Sequence, residues 1–324
     1  MNKKIVLGIV MLSLCFALLL NMTGIASAEE GKVRLGVCMS TFTSPYASAM
    51  VKTFKSYCQE KGYDLVILDA QLDIQKEANN IDDLMAKKVN AIMVNAVDSE
   101  GSRAALKKAA DAGFVVICSN TTVNNPQELG IRAYTGPNCY DEAVTAAKDA
   151  IKRNPKANVV MITGTPGYSA AIDREKGFTD TIAKEAPEMK MLDIQTANWM
   201  REDTQRVMSD YITKYGDKIN IVYVHDDNMT VGAVNALKAA GYTLETKPII
   251  ISVGAMADGL PLIKEGWIDS SMMQSPITDA QLAVDTAVDI MNGKQTEKYK
   301  DYFMATPPVD KSNVQKVIDM HIWD

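Results

Sequence analysis

The 324-residue sequence predicts an α/β protein made of two doubly wound parallel-sheet lobes, and three observations carry that expectation. Continuous apolar, β-branched runs alternate with segments of helical periodicity, the connections between them are short, and the order of elements starts again half-way along the chain. Such runs read as strands covered on both faces, which belong in parallel sheets. Strand alternating with helix reads as right-handed βαβ units.

In chain order, Lys3 and Lys4, an apolar run from Ile5 to Leu20 and Ala26-Ser27-Ala28 have the layout of a secretory signal, residues 1–28, cleaved after Ala28. The run is short of the roughly 20 apolar residues of a spanning helix. Four strands follow: KVRLGVC (32–38), DLVILD (64–69), NAIMVN (90–95) and FVVIC (114–118). Between them, Tyr46, Met50, Phe54 and Tyr57 recur at helical spacing after Pro45, a good first helical residue, and Gly62 ends that helix. Ile74, Ala78, Ile81 and Met85 mark the next helix, and the third closes at Gly113. The pattern restarts with ANVVMITG (157–164), a helix from about Ser169 to Ala186, MKMLDI, a helix from about Asp203, NIVYVH, a helix from Met229 to Ala240, and PIIISV. NAIMVNAVDS in the first half is similar to NIVYVHDDNM in the second. The junction falls near Gly136, and with no low-complexity linker there the lobes should pack together.

Composition excludes several functions. The formal charge of −6 becomes −8 once Lys3 and Lys4 leave with the leader, which argues against a phosphate-tracking nucleic-acid surface. Cys38, Cys58, Cys118 and Cys139 lie apart, mostly in apolar stretches, and read as four unpaired thiols. Two histidines in all exclude a multi-histidine metal site. TGTPGYS lacks the glycine pattern of a nucleotide loop, so no cofactor is expected. G-x-S-x-G and H-E-x-x-H are absent, and Asp226 and Asp227 are chain neighbours that need not converge on one atom, so the chain is expected not to be an enzyme.

Ligands of open parallel sheets bind outside the carboxyl ends of the strands. That selects Ser40 to Tyr46, Asn95 to Ser99, Ser119 to Thr121, Thr163 to Tyr168, Asn198 and Trp199, His225 to Asn228, Gly254 to Met256, and Gln274. Planar apolar faces (Tyr46, Trp199) stand there among small amides, hydroxyls and carboxylates, a set suited to a small molecule with hydroxyls in its plane and C–H faces above and below. Within the set, Asp227 and Asn228 read as caps of the helix from Met229, Asp226 as ligand-facing and His225 as a core or boundary side chain; outside it, Arg174 reads as a solvated or interlobe ion-pair residue.

STFTSPY after the first strand, the spacing of LDAQLDIQKEANNIDDLMAKKVNAIMVNAVDS, GTPGYSAAIDREKGF, HDDNMTVGAVNALKAAG, and SMMQSP before a last long helix occur in the order of one family. Over nearly all of the mature chain the sequence resembles the periplasmic ribose/galactose-type sugar-binding proteins that feed bacterial ABC importers. The resemblance implies a type I periplasmic binding protein fold, with the two lobes joined by a three-strand hinge. One lobe would take residues 29–136 and 275–303, the other 137–274 and 304–324. It also implies a monomer that presents its ligand to an ABC permease; an exported sensor serving a chemoreceptor or sensor kinase is the alternative. A sugar-responsive repressor of the same fold would need a DNA-binding motif where this chain has a leader.

By the same resemblance Tyr46 and Trp199 are opposed stacking aromatics and Gln274, at the third crossing, is a hydrogen-bonding amide. Asp226 and Ser44 stand at positions usually Asn. Asn120-Thr121 replaces an Asp-Arg pair, Ile172 aligns with a sugar-clamping Arg while Arg174 is one helical step away, and Met256 aligns with an Asp. Ser40, Phe42 and Tyr168, from the strand-end stretches, complete the candidate site. With three charged contacts missing, the pocket should prefer a ligand with fewer hydroxyls, a deoxy or less oxidised molecule, or one with its own positive charge near Asp226.

Overall fold

A computed structural model describes residues 32–323, so the leader lies outside the described residues. Strands β1 (Arg34–Met39), β2 (Asp64–Asp69), β3 (Ala91–Val94), β4 (Val115–Ser119), β5 (Ala133–Pro137) and β11 (Lys300–Met304) form one sheet in the order β11-β5-β4-β3-β1-β2, parallel throughout. Strands β6 (Asn158–Thr163), β7 (Lys190–Thr196), β8 (Ile221–Val224), β9 (Ile249–Gly254), β10 (Ser270–Met273) and β12 (Pro308–Val309) form the second, in the order β12-β10-β9-β8-β6-β7. Only the two-residue edge strand β12 runs antiparallel, against β10, which departs from the all-parallel expectation. Each sheet anchors one lobe.

Helices α1 (Pro45–Glu60), α2 (Ile74–Ala86), α3 (Arg103–Asp111), α4 (Cys139–Arg153), α5 (Ser169–Glu185), α6 (Arg201–Tyr215), α7 (Asp227–Ala239), α8 (Gly259–Glu265), α9 (Pro276–Met291) and α10 (Val314–Ile318) cover the sheets. The second sheet shows how period-two alternation fills both faces. Val160, Ile162, Val222 and Val224 pack with Met208 of α6 and Ala233 of α7. Val159, Met161, Ile221 and Tyr223 point the other way, onto Ala143 of α4 and Phe178 of α5. Cys38, Cys58, Cys118 and Cys139, the four cysteines among the described residues, are buried and unpaired.

The chain passes between the sheets three times: after β5, after β10 and between β11 and β12. Gln274 follows β10, so it lies at the second crossing in chain order rather than the third. Short polar residues cap the helices that leave these strand ends. The Ala47 N–H donates to Ser44 Oγ (3.2 Å) at α1, Asp141 N–H to Asn138 Oδ1 (3.1 Å) at α4, and Thr278 N–H to Ser275 Oγ (3.1 Å) at α9.

Candidate functional site

The carboxyl ends of both sheets face one cavity of about 380 Å³. Nine of the sequence-derived candidates line it: Ser44, Tyr46, Asn120, Tyr168, Arg174, Trp199, Asp226, Met256 and Gln274. Four do not. Ser40 and Thr121 are fully buried behind it, engaged with Asn95: Ser40 Oγ donates to Asn95 Oδ1 (2.5 Å) and Asn95 Nδ2 donates to Thr121 Oγ1 (3.0 Å). Phe42 is half-buried outside the lining. Ile172 is 44 % exposed, whereas Arg174 is 5 % exposed and reaches the cavity. Two residues along a helix turn the side chain through about 200°, so one of the pair must face away.

Arg174 is held rather than free. Its Nε donates to Glu142 Oε2 (2.9 Å) and its Nη1 to the His225 carbonyl (2.8 Å), and Gln274 Nε2 donates to both oxygens of Glu142 (3.0 and 3.2 Å). Glu142 has no exposed surface. Burial disfavours the Arg174 charge, but the Glu142 carboxylate together with Cys139 and Tyr223 outweighs this and raises the Arg174 pKa. Arg174 is thus an ion-pair residue in the cavity wall, but the pair is neither solvated nor interlobe: both partners are buried, on neighbouring helices of the second lobe.

The aromatic pair is fixed by different means. Tyr46 O–H donates to Asp279 Oδ2 (3.0 Å), and its ring meets Trp323 edge-on at 5.9 Å. Asn120 Nδ2 donates to the same Asp279 oxygen (2.8 Å), so one buried carboxylate on α9 sets two cavity side chains. Trp199 lies across Gly164: a Cβ there would come within 2.0 Å of the indole, so only glycine admits the ring. Trp199 and Asn198 both sit at positive φ (64° and 52°), a conformation that costs a bulky residue energy and that clusters at functional sites. Tyr168 touches Trp199 edge-on (5.8 Å), and the Arg174 guanidinium lies 5.9 Å from the indole ring.

The acidic pair divides differently from the sequence reading. Asp226 is itself the cap of α7, accepting the Met229 N–H at Oδ1 (2.6 Å), and it also lines the cavity. Asp227 is no cap; it is fully buried and accepts from Met256 N–H (2.7 Å) and Ser271 Oγ (2.8 Å), tying α7 to the loop after β9. Asn228 lines the cavity, accepting from Arg201 Nη2 (2.9 Å) and donating to the Trp199 carbonyl (3.1 Å). His225 is a core side chain, as its apolar setting suggests: Gly164 N–H donates to its Nδ1 (3.3 Å), and burial, with Arg174 beside it, holds its pKa well below the usual histidine range.

On one side of the cavity the lobes touch directly. Tyr168 O–H is hydrogen-bonded to Ser40 Oγ (2.6 Å) and donates to Asn95 Oδ1 (3.1 Å). Ser99 N–H and Oγ both donate to the Gly167 carbonyl (2.9 Å each), and Thr122 N–H donates to Ser169 Oγ (2.9 Å). Gly167 has φ of 85°, and a Cβ there would fall 2.0 Å from Asp98 Oδ2, so this approach requires glycine.

Buried carboxylates around the cavity give a pH signature. Burial pushes Glu77, Asp227 and Asp279 up to about 7 and Asp226 up to about 6. Because these folded-state values lie above the unfolded ones near 4, their stability contribution is full below about pH 4 and is lost as pH rises through about 6 to 7. The melting temperature of the unliganded protein is expected to fall between about pH 4 and 7. A melting temperature that is flat or rises over that range would contradict the assignment.

A family model described as a periplasmic binding protein domain matches residues 35–295. The chain belongs to that family. As a periplasmic binding protein it is a carrier of solute rather than a catalyst, and no helix among the described residues is long and apolar enough to cross a membrane. It is 27 % identical to the ribose import binding protein RbsB of Bacillus subtilis (strain 168), covering 84 % of this chain and 86 % of that one. It is 27 % identical to a xylitol-binding protein of Mycolicibacterium smegmatis, covering 91 % and 82 %. The crystal structure of a galactofuranose binding protein superposes with a TM-score of 0.82 at 26 % identity, covering 89 % of this chain and 97 % of that one.

Sequence reasoning missed Glu142 and Asp279, which lie on helices rather than at strand ends, and the apolar lining residues Met39, Met50, Leu72 and Met200. Asn95, Asn198 and Asn228 fall within the strand-end stretches that it did select.

Proposed function

We propose that this binding protein captures a small, neutral, hydroxylated molecule, a sugar or polyol, between its lobes outside the cytoplasm and delivers it to the membrane permease of an ABC importer. The observation that carries this reading is the cavity itself: two aromatic residues from opposite lobes flank a wall bearing Asp226, Gln274 and Arg174. Aromatic faces suit the C–H faces of a sugar, and the polar groups suit its hydroxyls. Relatives named for ribose and xylitol, and a matching structure of a galactofuranose binder, support the same class.

A cationic ligand is disfavoured, because Arg174 and Arg201 already act on Asp226. Asp226→Asn is therefore expected to change sugar affinity by less than about 1 kcal/mol, since the amide keeps an acceptor, whereas a cationic ligand would lose about 2–5 kcal/mol. Calorimetry on the folded variant separates the two.

The proposed mechanism is hinge closure at the three crossings, with residues 29–136 plus 275–303 moving against 137–274 plus 304–324. Bound ligand bridges both walls and shifts the equilibrium by its differential affinity for the closed form. A thermal-shift screen of sugars and polyols identifies the ligand. Small-angle scattering then tests closure: the radius of gyration is expected to fall on saturation, and an unchanged radius would refute the mechanism.

A further inference from the structure

Most polar side chains that reach the cavity are already committed to protein partners. Asn95 uses its whole amide: Oδ1 accepts from Ser40 and Tyr168, and Nδ2 donates to Thr121 and the Ser119 carbonyl. Asn228 is occupied at both ends by Arg201 and the Trp199 carbonyl. Asn120 gives its amide nitrogen to Asp279, Gln274 gives its own to Glu142, and Arg174 gives Nε and Nη1 to Glu142 and His225. Of the wall groups, the amide oxygens of Gln274 and Asn120 and Nη2 of Arg174 have no protein partner among the described residues and stand with the Asp226 carboxylate, while Thr41, Thr43, Asn198, Arg201 and Glu202 also line the cavity.

Thioethers take up much of the rest. Met39, Met50 and Met256 line the enclosed part of the cavity and are 1 %, 0 % and 4 % exposed, while Met200 and Leu72, 52 % and 47 % exposed, stand at its solvent side. A thioether is at best a weak acceptor and gives a hydroxyl nothing to accept from. A ligand hydroxyl buried against these side chains loses its water without replacement, whereas a methyl or methylene group gains contact there.

We propose that the cavity selects a deoxy sugar over its fully hydroxylated parent, with the carbon that lacks the hydroxyl seated against the methionines. This rests on the reading of the protein as a sugar or polyol binder. The expected preference is about tenfold to a hundredfold, the range over which an apolar pocket rejects an added hydroxyl.

The test is isothermal calorimetry of the mature chain against matched pairs: D-fucose with D-galactose, L-rhamnose with L-mannose, 6-deoxy-D-glucose with D-glucose, and 2-deoxy-D-ribose with D-ribose. Support is a pair in which the deoxy member binds about tenfold tighter or more. If every pair that binds favours the parent or shows no difference, the deoxy preference is refuted and the sugar-binding reading stands. If no member of any pair binds, the inference falls, and the sugar or polyol reading falls with it if xylitol and myo-inositol, titrated alongside, also fail to bind. Met256→Gln provides a second arm, because it replaces the thioether with an amide of similar length and keeps the backbone N–H that Asp227 accepts. In this variant, verified as folded by its melting transition, the deoxy preference is expected to shrink by about tenfold toward parity. A preference unchanged by the substitution would overturn the placement of the deoxy carbon against Met256.

Discussion

Replacing Glu142 with alanine is expected to destabilise the protein by about 3–5 kcal/mol, as when one partner of a buried ion pair is removed. Glu142 and Arg174 are both buried, at 0 % and 5 % exposure, and the carboxylate also receives Gln274 Nε2. Without it the guanidinium keeps one carbonyl acceptor, the Gln274 amide loses its partner, and neither group regains water inside a closed wall. The double variant Glu142→Ala, Arg174→Met removes the stranded charge and should recover most of the loss, since an apolar replacement of a buried pair is often neutral. Urea unfolding of the two single variants and the double variant gives the coupling directly. A single-variant cost under about 1 kcal/mol would show that water reaches Arg174 and that the cavity wall is looser than described.

Trp199→Ala should reduce ligand affinity by about 2–4 kcal/mol, the range of a central aromatic anchor. The indole is half-buried, rests on Gly164, meets Tyr168 edge-on and has the Arg174 guanidinium over its ring, so a ligand that stacks on it meets a surface held in place beforehand. Its loss should cost less in stability, about 1 kcal/mol, because the side chain borders the second lobe's core without being enclosed by it. Calorimetry and thermal unfolding of the same variant decide the matter. Unchanged affinity with collapsed stability would make Trp199 a packing residue and displace it from the site.

The architecture was legible because it depends on patterns many residues long. The β-branched run 90–95 and its counterpart at 220–225 contain β3 and β8, and the spacing of Tyr46, Met50, Phe54 and Tyr57 set α1. The cleft's position followed from where parallel strands end. One-residue questions were not legible. Asp226 and Asp227 are adjacent, and either satisfies a capping pattern; backbone direction at the strand end decides which oxygen meets the Met229 N–H. Ile172 and Arg174 could be told apart only once the phase of α5 was known. Glu142 and Asp279 read as ordinary polar positions in helices, since nothing local shows that Glu142 meets Arg174 thirty-two residues away or that Asp279 meets Tyr46 at a separation of 233.

The bonds that Tyr168 makes to Ser40 and Asn95, and Ser99 to Gly167, run directly from lobe to lobe. Each neutral hydrogen bond contributes about 1 kcal/mol net, so on the proposed mechanism they offset part of the cost of reaching the closed form. On the proposed mechanism a permease reads the outer surface of that form and cannot tell a loaded receptor from an empty one. These contacts therefore set a background level of unproductive docking, and they raise apparent affinity by the same free energy, because less of the ligand's binding is spent on closing. On that mechanism, sensitivity to scarce solute and false engagement of an importer would be coupled through the same few atoms at Tyr168, Ser99 and Gly167.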